Sequence, residues 1–157
     1  MIFNGSHGQF SVRYPSSWYS LGARSNEALD IINFPPSQRV RGVILTEQGA
    51  RITVLKKPEN VSTLQKWIQL DVLNSEIESR REVPGSTASD GCTELVEVKW
   101  KWDSGGGPDV YSQETAYYCV AKTGIYRIQL TYMSNNLAGP ELSAVALKVA
   151  HSLHAPR

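Results

Sequence analysis

The chain has 157 residues, 41% of them hydrophobic and 20% charged, with 16 basic and 15 acidic side chains for a formal net charge of +1. That length and composition are ordinary for one compact domain with a real hydrophobic core, which needs neither a disulfide scaffold nor a metal to fold. The charge balance shows no basic excess or stripe of the kind that neutralises phosphates, which argues against a nucleic-acid partner. Arg39/Arg41 and Arg80/Arg81 read as solvated surface.

No apolar run is long enough to cross a bilayer. Met1 to Phe10 lacks the basic start and apolar stretch of a secretory signal. A cytoplasmic location is expected if Met1 is native, and an extracytoplasmic one if a leader has been removed ahead of it.

Phe10 to Tyr14 alternates apolar and polar, as a half-buried strand does, and Pro15 stops it because proline cannot donate to a ladder. Ser16 to Trp18 turn the chain. Ala28 to Phe34 reads as a second strand, ended by Pro35 and Pro36, and Arg51 to Leu55 as another, ended by Pro58. Between them, Gly42 to Leu45 is either a short strand or a buried loop.

A helix is expected next. Ser62 with Gln65 has the spacing of a capping box. Leu64, Trp67, Ile68, Val72 and Ile77 recur near one side at helical spacing, so the helix runs on until Pro84-Gly85 unless something earlier ends it. Gly85 to Gly91 is a surface loop.

From Cys92 to Trp102 the period is two: Val96, Val98, Trp100 and Trp102 alternate with Glu97, Lys99 and Lys101. Two further strands follow, Asp109 to Lys122 and Ile125 to Ser134, with Thr123-Gly124 as a tight hairpin turn. Setting Lys122 opposite Ile125, and Trp102 opposite Asp109 across Ser104 to Pro108, puts Thr115, Tyr117 and Cys119 on the face of Val96, Val98 and Trp100. Glu97, Lys99, Glu114, Arg127 and Gln129 then share the other face. The same arithmetic sets Cys92 opposite Cys119. Two readings stand for that pair: a cross-strand disulfide, or two reduced thiols packed as small apolar groups.

A terminal helix starts after Asn136 or Gly139, with Pro140 in its first turn, where a missing N–H costs nothing. Its stripe of Leu142, Val145, Ala146, Val149, Ala150 and Leu153 should roof the apolar face of the three-stranded meander. The fold class is therefore α+β, with an antiparallel sheet and a C-terminal three-stranded meander followed by a terminal helix.

Phe10-Ser-Val-Arg-Tyr-Pro-Ser-Ser-Trp18, the run Tyr117 to Leu130, and the close in Val149-Ala-His-Ser-Leu153 together resemble the PsbP-like superfamily, which also takes in the Mog-type Ran-binding protein and bacterial DcrB-like proteins. The resemblance extends over nearly the whole chain, 1–157, as a single domain. It implies an antiparallel sheet sandwiched between helices, and a role in binding other proteins in place of a reaction. It implies no site residues.

Candidate chemistry is thin. His151 and His154 stand three apart without a third zinc ligand nearby. His7 lacks the Gly-x-Ser-x-Gly context of a hydrolase elbow, and Gly105-Gly-Gly107 lacks the Lys-Ser/Thr of a phosphate loop. Asp71, Glu76, Glu78 and Glu82 read as solvated carboxylates. The expectation is a non-enzymatic interaction or adaptor module with an unidentified protein partner and no cofactor. The alternative is a small-ligand or metal-binding protein using an aromatic cleft formed by Trp100, Trp102, Tyr111, Tyr117, Tyr126 and Tyr132.

Overall fold

The computed structural model describes residues 2–4, 10–25, 28–36, 49–73, 75–86, 91–103 and 110–155. In chain order these form β1 (Ile2–Asn4), β2 (Ser11–Arg13), β3 (Tyr19–Ser25), β4 (Ala28–Ile32), β5 (Ala50–Lys56), α1 (Leu64–Val72), β6 (Ile77–Val83), β7 (Glu94–Asp103), β8 (Tyr111–Ala121), β9 (Gly124–Met133) and α2 (Gly139–His151). Seven strands make one antiparallel sheet in the order β3-β4-β5-β9-β8-β7-β6, and β1 and β2 pair separately. The fold is α+β, with α1 on one face and α2 on the other. Gly42 to Leu45, His7, Arg39, Arg41 and the glycine run Gly105 to Gly107 lie outside the described residues.

Each helix buries an apolar stripe against its own face. Under α2, the residues Leu142, Ala146, Val149 and Ala150 pack with Ile52, Val54, Tyr117, Tyr126, Ile128 and Leu130. The arm carrying Phe10, Val12, Tyr14 and Trp18 joins the same cluster. It is held by backbone pairing of Ser11 with His154 and by the Ser152 hydroxyl, which accepts from the Arg13 amide at 2.8 Å. Under α1, the residues Trp67, Ile68 and Val72 pack with Val98, Trp100, Ala116 and Tyr118. At roughly 1.5–3 kcal/mol per large side chain buried, both clusters are substantial.

Several sequence expectations are corrected here. The first helix does not reach Pro84: it ends at Val72, and Ile77–Val83 is an edge strand. Leu73 ends it with φ 47°, a positive value that a β-carbon makes costly, while its N–H still bonds Gln69 O. The N-cap is Thr63, one residue on from the expected Ser62, and its side chain accepts from the Lys66 amide. At the start of α2, Asn136 accepts from the Ala138 amide at 3.0 Å, and Ala138 caps the helix without a side-chain bond. Strands β1 and β3 were not expected at all.

The meander forms with different registers. Ala121 pairs with Gly124 and Cys119 with Tyr126, leaving Lys122-Thr123 as the turn. That displacement by two residues keeps every β8 and β9 side chain on its expected face. On the other side, Val98 pairs with Ala116 and Asp103 with Tyr111, a displacement by three that turns β7 over. Trp100, Val98 and Val96 therefore share the α1 face with Tyr118 and Glu114. Leu95 and Glu97 lie with Tyr117 and Cys119 on the α2 face, so Trp100 and Tyr117 are on opposite sides. The reason is physical: a two-residue hairpin turn holds register tightly, whereas a long glycine-rich connection leaves it to packing.

Candidate docking surface

The α1 face carries a polar belt beyond the reach of its short helix. Arg51, Thr131 and Glu114 stand side by side across three strands, and Asp30, Thr53 and Gln129 fill the next row. Glu114 is buried and accepts from Thr131 at 2.6 Å, Gln129 at 2.7 Å and Ser112 at 3.1 Å. Burial pushes its carboxyl above the ordinary range, against the lowering effect of those bonds and of the Arg51 charge. Thr53 donates to Asp30 at 2.7 Å. Nearer the helix, Asp71 accepts from Tyr118 Oη at 2.7 Å and pairs with Arg127, whose guanidinium lies 5.5 Å from the Trp67 ring centroid. Asp71 is thus a mostly buried pin holding α1 to the sheet, not the solvated carboxylate expected.

The α2 face has its own buried carboxylate. Glu97 takes two bonds from Arg81, at 2.7 and 3.3 Å, with Lys99 Nζ 3.7 Å away. Burial raises its carboxyl, but the Arg81 and Tyr117 hydrogen bonds and the neighbouring cations outweigh that and hold it below the ordinary range. Lys101 bridges to Glu78 at 2.9 Å. Glu114 and Glu97 are thus each held by several hydrogen bonds, while Arg51 Nε and Arg127 Nε are buried without a hydrogen-bond partner.

The other expected site residues are dispersed. Cys92 and Cys119 are joined by a disulfide with Cα atoms 5.1 Å apart, both fully buried, and Cys92 Sγ lies 3.4 Å from Ala150 O beneath α2. His151 Nε2 lies 2.9 Å from Pro84 O, while His154 joins the strand arm. Among the described residues, no three His, Cys, Asp or Glu side chains gather as a metal site. The aromatic set does not form one cleft: Trp100 is buried under α1, Tyr117 and Tyr126 are buried under α2, and Trp102 is exposed. A cavity of about 420 Å³ opens between Glu82–Val83 and Thr93–Val96, and none of those rings lines it. No described helix is long and apolar enough to cross a membrane.

What the structure does gather is exposed apolar surface. Among the described residues the exposed large hydrophobic side chains are Tyr19, Leu70, Leu73, Ile77, Trp102 and Leu137. Four of them, Tyr19, Ile77, Trp102 and Leu137, map to the same end of the sheet, opposite the Lys122-Thr123 hairpin. Tyr19 and Ile77 open β3 and β6, Trp102 is one residue from the end of β7, and Leu137 sits between β9 and α2, while Leu70 and Leu73 lie at the close of α1. Ile77 pairs with Trp100, so Trp102 is its diagonal neighbour on the α1 face. Leu137 is 97% exposed and Leu73 61%. Scattered exposed hydrophobics need no explanation, but a concentration at one end marks a contact surface. Sequence reading missed it because these residues belong to different elements. The available signal was a leucine in the turn Asn135-Asn136-Leu137; Leu70 and Leu73 read as a widening of the helical stripe.

No family model and no curated protein matches this sequence. Solved structures match its fold over 99% of the chain. One is a protein of Bacteroides thetaiotaomicron, with TM-score 0.56 and 14% identity. This chain spans about half of that protein, 48% of its length. Another is cyanobacterial PsbP (CyanoP) from Synechocystis, with TM-score 0.53, 11% identity and 92% of that chain covered. A third is LpqN, involved in cell envelope biogenesis of Mycobacterium tuberculosis, with TM-score 0.50, 13% identity and 91% covered. The fold is PsbP-like. At these identities the likeness extends to the fold alone.

Proposed function

We propose that this PsbP-like domain is a non-catalytic accessory module that works by docking onto another protein through its apolar end. The observation that carries this reading is the one-sided placement of Tyr19, Ile77, Trp102 and Leu137, while the buried carboxylates Glu114 and Glu97 elsewhere are each held by hydrogen bonds. The PsbP-like fold supports it as well, since two proteins sharing that fold are a PsbP and an envelope-biogenesis protein.

Site-directed photo-cross-linking in the native source tests it. A benzophenone side chain at Leu137, whose exposure makes substitution harmless to folding, should give one dominant adduct with a single protein. The same group at Lys122, on the hairpin end, should give none. Equal labelling from both positions, or no adduct at Leu137, sinks the reading.

A further inference from the structure

The chain has two cysteines, and its backbone departs from the ladder to join them. In the β7–β8 register Glu94 faces Val120 and Leu95 faces Cys119. Continued backwards, that ladder would carry Cys92 to Lys122, on the face that Glu94 shares with Val96 and α1. Cys92 lies instead with its Cα 5.1 Å from that of Cys119, beneath α2. Thr93 makes the change: its amide and its hydroxyl both donate to Val120 O, at 2.8 and 3.0 Å. Thr93 and Glu94 thus both address Val120, the two-against-one arrangement of a bulge, and the residue before them is turned over. Gly85 closes on the same bend. The Ser86 amide donates to Cys92 O at 2.8 Å, and a β-carbon at Gly85 would lie 2.6 Å from that oxygen. Three neighbouring positions thus serve the placement of one sulfur.

A disulfide that cycles, in catalysis or in sensing, has to meet a redox partner, and bonds of that kind are the ones cytosolic proteins keep. Cys92 and Cys119 are both 0% exposed, and the chain has no third thiol to resolve them. The bond is built to stay closed.

We infer that Cys92 and Cys119 are joined permanently by thiol–disulfide exchange, and that this domain therefore works on the oxidising side of a membrane, outside the reducing cytosol. Of the two locations left open by the sequence, this selects the extracytoplasmic one. The electron acceptor is an oxidised dithiol protein. A thiolate of this chain attacks the acceptor's disulfide to give a mixed disulfide, and the second cysteine then displaces the acceptor. One S–S bond breaks in the acceptor and one forms between Cys92 and Cys119. Two electrons and two protons pass to the acceptor, which leaves as a dithiol.

Thiol trapping in the native source tests this. Cells are quenched in acid, the protein is denatured, and free thiols are tagged with a maleimide that adds mass. The chain should take no tag, or two tags if it is reduced first, and it should partition with the extracytoplasmic fraction. Two tags without prior reduction, or a chain confined to the cytosolic fraction, overturns the inference. The acceptor is caught with the single variants Cys92→Ser and Cys119→Ser, which lack one of the two thiols. At least one of them should hold a mixed disulfide with a second protein, released by reductant; none from either variant overturns the exchange step. A variant that fails to fold still reports, since the exchange acts on the unfolded chain.

Discussion

Glu114 shows how a buried carboxylate is carried in the middle of a sheet face. Its Oε2 takes bonds from Gln129 and Thr131, and its Oε1 takes one from Ser112, whose hydroxyl also reaches Trp102 O at 3.4 Å. Burial raises its carboxyl above the ordinary 4.5, so the folded state holds the proton more tightly than the unfolded chain. The stabilisation carried by the protonated form is complete below about 4.5 and is lost as pH climbs through the raised value. Glutamine keeps the shape, with its oxygen toward Gln129 and Thr131 and its amide toward Ser112, which can accept. Glu114→Gln should therefore match the parent in melting temperature near pH 4 and exceed it at pH 7; a constant offset across that range counts against the assignment. Sequence reading had placed Glu114, Gln129 and Arg127 together on one face, and they are together. It had not seen that Tyr118 and Asp71 make that face a pinned interior, because the Asp71–Arg127 contact joins residues 56 apart in the chain.

At the scale of elements, the strands of the meander and the terminal helix were legible from periodicity, since period two and period 3.6 are local properties. Register was legible only where a short turn enforces it. Nothing local in Glu94–Asp103 says which of its faces meets α1, because Leu95 and Glu97 oppose Val96 and Val98 with comparable burial. The pairing of Glu97 with Arg81 makes its burial tolerable, and Arg81 lies on an element read as helix. The disulfide belongs to this scale too. It ties the start of β7 to β8 across a sequence separation of 27, a loop for which chain entropy predicts about 3–4 kcal/mol of stabilisation. Replacing both cysteines by alanine should lower unfolding stability by roughly that amount in a denaturant titration, and reductant should then leave the variant unchanged. A loss below about 1 kcal/mol indicates that the staple restrains little.

For the whole molecule, the described sheet has two edges, β3 and β6. The β6 edge carries Glu78, Arg80, Arg81 and Glu82 and a register shift between Ile77 and Ser79, devices that discourage another strand from adding to it. Arg80→Val with Glu82→Val should flatten that protection and produce concentration-dependent oligomers in size-exclusion chromatography. A variant that stays at the parent's elution volume shows that the irregular register suffices alone. Contact through side chains at the strand ends, not through the β6 edge, is what this layout favours.

The terminal helix has a consequence for timing. It leaves the ribosome after every strand it covers, and it lies over Cys92 with Ala150 against the sulfur. Both cysteines precede it in the chain by more than its own length, so they can meet while the roof is still missing. Once that roof settles, neither sulfur is open to an oxidant or a reductant without the helix lifting off first.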